Sequence, residues 1–419
     1  MLAAGVDFAI LTVIMAIAMF QGDFMMMDRG LHSRSRMTGR TDDRTPIFPA
    51  TVGNRRIISR LAYSAAAGLA ITASLASHAG AAEPFKLEGP PKIAFIYTQT
   101  RTDGGWVQSF DEARMRMEKA LNTEIAYVEN VKEDKSQFLP PVEKLIARGY
   151  NIIIPTSFGY SDPVKEVAAK YPKVAFLNGS GTTNGPNLVS FYPRTYQGHY
   201  LCGMVAGAMT KTGKLGHVSP FPFGVVNWTI NAFLMGAQQM RPDATVTAVN
   251  IGAWDDAAKE RAATLALIDH GADVIDQQTG SPTPQIVAQE RGVYGIGNQS
   301  DMRANAPKAT LCSIIYTWDT YLTPAVKRIE SGNWSPSPYG DFTTMKDGGS
   351  DIACCNAVVP ADVVAKVDAA RQEIMNGKQV FAGPIKDAEG KERVPGGKVL
   401  GDGDLWKMDW FVPGVAMQK

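Results

Sequence analysis

The sequence predicts an α/β protein of two lobes, each a mostly parallel sheet flanked by helices. Three observations carry this. Short runs such as Ile93 to Tyr97 are too apolar for a strand with one wet face, and suit parallel strands covered on both sides. They alternate with helical patterns, a rhythm that implies parallel strands joined by helical crossovers. The rhythm pauses at the polar turn Thr210-Lys211-Thr212-Gly213-Lys214 and starts again, in a chain long enough for two cores.

Residues 1–81 differ in kind from the rest, with eight Arg, no Lys and five acidic residues. They read as targeting sequence: Arg55, Arg56 and Arg60 form a basic n-region, Leu61 to Ala76 an apolar h-region, and Ala79-Gly80-Ala81 a cleavage site. The n-region lies well inside the chain, which suggests a misplaced start codon. Leu2 to Phe20 is about long enough for a membrane anchor but is interrupted by Asp7. The expectation is a periplasmic protein released by cleavage before Ala82. No cysteine stands at that site to carry a lipid.

The first lobe is expected over 84–212. Its strands are Ile93 to Tyr97, Glu124 to Val128, Ile152 to Pro155, Val174 to Leu177 and Leu188 to Phe191, with helices after Trp106, at Pro140 to Arg148 and at Pro163 to Lys170. It ends in the helix Tyr196 to Met209, whose Gly198, Gly203 and Gly207 cost helix propensity and suggest close backbone packing. The second lobe, 213–318, carries strands at Leu215 to Ser219, Val246 to Ile251, Val274 to Gln277, Val293 to Ile296 and Thr310 to Tyr316. A helix at about 319–335 is expected to return to the first lobe, and about 336–419 to complete the second.

Overall charge is near balance, with 42 Lys and Arg against 41 Asp and Glu. The basic surplus lies in the leader, so nothing favours nucleic acid. The four cysteines match no zinc or CxxC pattern, and the histidines are scattered, which argues against a metal, a cofactor or His-based catalysis. Gly207 to Lys214 is not a phosphate loop, because it has the wrong glycine spacing and Leu215 where Ser or Thr is needed. Asp255-Asp256 reads as helix capping rather than a catalytic pair.

Ligands of open α/β sheets sit beyond the carboxyl ends of the strands. There this sequence repeatedly places aromatics and amides: Trp106, Phe158, Phe221, Phe223, Trp254, Gln278-Thr279-Gly280, Asn298 with Asp301, and Trp318. Each aromatic alone could be core; their recurrence favours a planar ring stacked between aromatic faces and hydrogen-bonded along its edge. Anion-clamping basic residues are missing apart from Arg101, while a sugar is less well excluded.

Gly104-Gly105-Trp106 with Asp111-Glu112-Ala113-Arg114, Gln197 to Gly203, Thr212 to Gly216, Ile230 to Phe233, Gly271 to Ile275 and Gly297 to Asp301 together resemble the basic membrane protein family, ABC-importer receptors that include purine nucleoside receptors. The resemblance covers about 92–335. It implies a two-lobed type I periplasmic-binding-protein-like fold, three hinge strands, and a monomeric, non-enzymatic receptor serving an inner-membrane ABC permease. Trp106 matches one stacking ring, Phe221 or Phe223 the opposite one, and Asp301 an acidic loop. Where nucleoside-binding members place an acidic residue and a lysine for ribose, this chain has Asn298-Gln299 and Tyr316-Thr317-Trp318, so a free purine base is the expected ligand. A nucleoside or sugar receptor, or a nucleoside-processing enzyme, are the alternatives.

Overall fold

The computed structural model describes residues 85–354 and 357–418, so the expected leader lies outside the described residues. Strands β1 (Ile93–Ile96), β2 (Ala126–Val128), β3 (Ile152–Pro155), β4 (Ala175–Gly179), β5 (Leu188–Pro193) and β11 (Asp341–Thr343) form an all-parallel sheet ordered β11-β5-β4-β3-β1-β2. Helices α1 (Trp106–Leu121), α2 (Lys135–Ala147) and α3 (Ser161–Lys170) alternate with its strands. The residues of β1 and β3 are completely covered, as runs without polar alternation require.

The second sheet contains β6 (Lys214–Ser219), β7 (Thr245–Asn250), β8 (Val274–Gln277), β9 (Tyr294–Gly297), β10 (Thr310–Tyr316), β12 (Ser350–Cys354) and β15 (Val415–Gln418), ordered β12-β10-β9-β8-β6-β7-β15. Only the β10–β12 pairing in it is antiparallel. Its helices include α4 (Tyr196–Met209), α5 (Gly224–Met240), α6 (Ala257–Asp269) and α7 (Thr283–Glu290). The chain continues through α8 (Asp319–Glu330), α9 (Ala361–Met375), the small pair β13 (Ile385–Lys386) and β14 (Glu392–Val394), and α10 (Asp402–Trp406).

Two segments sit elsewhere than expected. Helix α4 was expected to close the first lobe, but it packs on the second. A Cβ at Gly203 would lie 2.1 Å from the Phe233 carbonyl oxygen, and one at Gly207 2.2 Å from that of Ala237, so α4 and α5 touch backbone to backbone. Gly198 faces Ile314 of β10. Strand β11, expected with the second lobe, extends the first sheet beside β5. Helix α8 lies against α1, where Arg116 pairs with Asp319 at 2.7 Å.

The chain crosses between the sheets at Arg194–Thr195, Thr317–Trp318 and 344–349. These crossings bond to one another: Arg194 N–H donates to Thr343 O (2.8 Å), Met345 N–H to Gln197 Oε1 (2.8 Å) and Thr317 N–H to Gly349 O (3.0 Å). Cys202 and Cys312 are free and buried with their sulfurs 2.8 Å apart, while Cys354 is disulfide-bonded. Among the described residues no helix is long and apolar enough to cross a membrane, and no cluster of three His, Cys, Asp or Glu is arranged for a metal.

Candidate ligand-binding cleft

A cavity of about 320 Å³ lies between the sheets, at the carboxyl ends of their strands. Its volume falls at the lower end of the roughly 300–1,000 Å³ range of small-molecule sites. From the first lobe it receives Thr98, Gln99 and Asp103 after β1, Ser157 and Phe158 after β3, Ser180 after β4, and Tyr192 in β5. The second contributes Phe221, Val225, Trp254, Asp255, Gln278, Gly280 and Gln299.

Trp106 lines this cavity as the first residue of α1. The two glycines before it permit a contact between lobes: a Cβ on Gly105 would stand 2.1 Å from the Gly280 carbonyl oxygen, and Gly104 has φ +85°. Trp106 N–H donates to Gly280 O (3.4 Å), and the Ser300 hydroxyl to Gly104 O (2.8 Å). The indole Nε1–H donates to Thr156 O at 2.7 Å, and the ring meets Phe110 and Trp318 edge to face, both at 5.3 Å. Trp106 is therefore anchored by core contacts while lining the cleft.

Phe158 from the first lobe meets Phe223 from the second, with centroids 5.2 Å apart and planes 22° from parallel. Phe221 stacks on Phe223 and meets Trp254 edge to face, each at 5.4 Å. Phe158, Phe221 and Trp254 line the cavity; Phe223 backs them and is 37% exposed.

Several expected site residues are not cleft-lining. Trp318 stacks on Phe110 at 4.0 Å and donates Nε1–H to Ser109 Oγ, both inside the core. Asp301 turns to Arg303, with Oδ2 2.5 Å from its guanidinium, and accepts its backbone N–H. Asn298 is buried and donates to Gln278 Oε1 (3.4 Å), and Thr279, next to Gln278 in sequence, is buried as well. The residue after Asn298 lines the cleft instead. Gln299 adopts φ +74°, and its Oε1 is buried without a partner. Ser180, also lining, has φ +60°; non-glycine residues held in this region cluster at functional sites.

The charged lining is mostly acidic: Asp103, Glu133 and Asp255 against Lys132. Burial raises the Asp103 carboxyl although it accepts the backbone N–H groups of Gly105, Val107 and Gln108, at the N-terminus of α1. Asp255 is also raised, first by burial, against a hydrogen bond from Gln99. Its neighbour Asp256 caps α6 by accepting Lys259 N–H. The pair read from sequence as capping thus divides into one cap and one cleft carboxylate. Glu133 accepts from the Ser157 hydroxyl, which leaves Asp255 as the carboxylate best placed for a ligand, while Gln299 Oε1 lies sealed beside Gly105.

Lys132, Tyr192 and Trp406 were missed in the sequence. Trp406 gave no signal, because it lies far along the chain in a five-residue helix. Gln299 lies within the run Asn298 to Asp301 that follows a strand end and was singled out there.

A two-sheet α/β molecule crossed three times, with an aromatic cleft at facing strand ends, defines the type I periplasmic-binding-protein-like fold. The family model for PnrA-like ABC transporter substrate-binding proteins, Bmp, matches residues 91–380, and the chain belongs to that family. It is 33% identical over 327 residues to a purine-binding protein of Brucella abortus (strain 2308), covering 77% of this chain and 92% of that one. A protein of Haloferax volcanii, provisionally named an ABC transporter glucose-binding protein, is 30% identical over 301 residues, covering 71% and 76%. Among solved structures, an ABC transporter solute-binding protein of Conexibacter woesei superposes with a TM-score of 0.57 at 23% identity, over 69% of this chain and 97% of that one.

Proposed function

We propose that this protein captures a planar heteroaromatic ligand, a free purine base, between two lobes and delivers it to the permease of an ABC importer. It acts in the periplasm as a monomer without catalysis, and its leader serves export. The lobes divide near residue 194, with 319–343 returning to the first. The observation that carries the reading is the cleft itself: Trp106, Phe158, Phe221 and Trp254 present rings from both sides of a small cavity, with Asp255 as a carboxylate acceptor in its lining. Ring faces stack on aromatic side chains, and ring N–H or amino groups donate to a carboxylate. An excess of carboxylates disfavours phosphates and other anions. The purine-binding relative supports the choice of base, whereas the Haloferax relative supports a sugar as the second reading.

A thermal-shift panel of bases, nucleosides and sugars tests it. A ligand at ~100 times its dissociation constant adds ~2.7 kcal/mol of stability, so the bound class stands clear of the others. Purine bases are expected to give the largest shift. A response to sugars alone transfers the assignment to the second reading, and turnover of nucleosides by the purified protein contradicts a receptor.

A further inference from the structure

Trp406 belongs to two cavities. It lines the cleft, and with Tyr192 it also lines a neighbouring cavity of about 530 Å³. These are the two residues that the cavities share, so their side chains form the partition between them. The chambers differ in chemistry. The cleft is aromatic, whereas beyond the partition lie Thr182, Asn184, Ser190 and Asp402, hydroxyl, amide and carboxylate groups suited to a polyhydroxylated substituent.

The partition is held from both lobes. Arg194, at the first crossing, grips Asp402 at the start of α10 with two bonds of 2.9 and 2.7 Å. Behind Trp406, a Cβ on Gly224 would lie 2.1 Å from the Trp406 carbonyl oxygen, so α10 rests on the N-terminus of α5. Asn227 Nδ2 donates to Met408 O at 2.9 Å and fixes the chain that follows. The indole is enclosed edge-on by Tyr192 (5.9 Å), Trp228 (5.9 Å) and Phe342 (5.4 Å). A ring clamped on three sides resists displacement by an entering ligand. The segment that supplies it lies beyond the residues matched by the family model.

We infer that Trp406 is a specificity-determining residue: it limits the cleft to a bare ring and bars a sugar-substituted ring from extending into the second chamber. This rests on the planar-ring reading above. Binding of adenine and of adenosine is measured by calorimetry for the wild-type protein, Trp406→Ala and Trp406→Phe. The wild type is expected to favour adenine. Trp406→Ala shifts the ratio of adenosine to adenine affinity about tenfold or more toward adenosine, on the scale by which apolar pockets discriminate. Trp406→Phe retains the wild-type preference.

An unchanged ratio of adenosine to adenine affinity in Trp406→Ala overturns the inference, as does a wild type that prefers adenosine. If the wild type binds none of adenine, hypoxanthine and guanine nor any of their nucleosides, the planar-ring reading itself fails and the partition falls with it. Should Trp406→Ala not fold, Trp406→Leu, which keeps an apolar side chain in place, is judged by the same outcomes.

Discussion

Trp106 shows how one side chain can serve core and cleft together. The sequence poses stacking and core packing as alternatives, with a stacking ring expected to leave apo stability almost intact on removal; the contacts with Phe110, Trp318 and Thr156 revise that expectation. Trp106→Ala is now expected to lower the melting temperature and also to weaken ligand binding, the latter by ~1–3 kcal/mol as for a base stacked on an aromatic side chain. Calorimetry on the folded fraction separates the effects, and an affinity equal to wild type would confine Trp106 to the core. A second residue-scale prediction concerns Cys202 and Cys312. Burial and the neighbouring sulfur push the Cys202 thiol well above its ordinary value, and thiols rather than thiolates are poor nucleophiles. Native protein should leave both unlabelled by a soluble alkylating reagent that labels them after denaturation. At this scale the candidate cleft was partly legible: of the residues that the strand-end rule selected, Trp106, Phe158, Phe221, Trp254, Gln278 and Gly280 line the cavity. It also selected Asp301 and Trp318, because position after a strand does not tell which way a side chain turns.

Elements were read well where periodicity governs them and less well where packing decides. The covered strands β1 and β3 follow from their uniform apolarity. The start of α2 was missed because Pro140 suggested a helix beginning, whereas Asp134 caps it earlier by accepting Gln137 N–H at 3.1 Å. The glycines of α4 signalled close approach without naming the partner, since no local pattern tells which lobe a connecting helix will join. Their test is Gly203→Ala. Its new methyl would collide with the Phe233 carbonyl, so overpacking should cost roughly 1–3 kcal/mol. Gly198→Ala meets only the Ile314 side chain and should cost less; denaturant unfolding compares the two. Another element-scale prediction lies at the loop after β8, where Glu260 of α6 accepts from the Ser281 hydroxyl. Burial raises its carboxyl from 4.5 to about 7, despite that bond. The folded state then keeps a proton that the unfolded chain releases, so this group lowers stability as pH rises from about 4.5 to about 7. Wild-type melting should fall across that window more steeply than that of Glu260→Gln, and parallel curves would refute the assignment.

At the scale of the whole molecule, the type I architecture was legible because the strand and helix rhythm restarts, and because motifs spread along the chain resemble one family. Long-range pairings were not. His199 and His217 looked scattered, yet both ring Nδ1 atoms meet Asp276 Oδ2, at 3.1 and 2.9 Å, in the core of the second lobe. Burial alone would raise that carboxyl, but the two histidines hold it down at about 2. Trp406 likewise reaches the cleft only because the tail folds back over α5 and bonds to Asn227 and Asn231. The aromatic contact of Phe158 with Phe223, and the bond from Trp106 N–H to Gly280, join the lobes at the cleft edge, so binding and lobe closure should be linked. The central claim, a purine base held between the lobes, is tested most directly by calorimetric titration of the purified protein with adenine, hypoxanthine and guanine. One base bound per molecule is expected, with a negative heat-capacity change from burial of the ring and displacement by excess of another base. Saturable binding of glucose with no heat from any purine would contradict it.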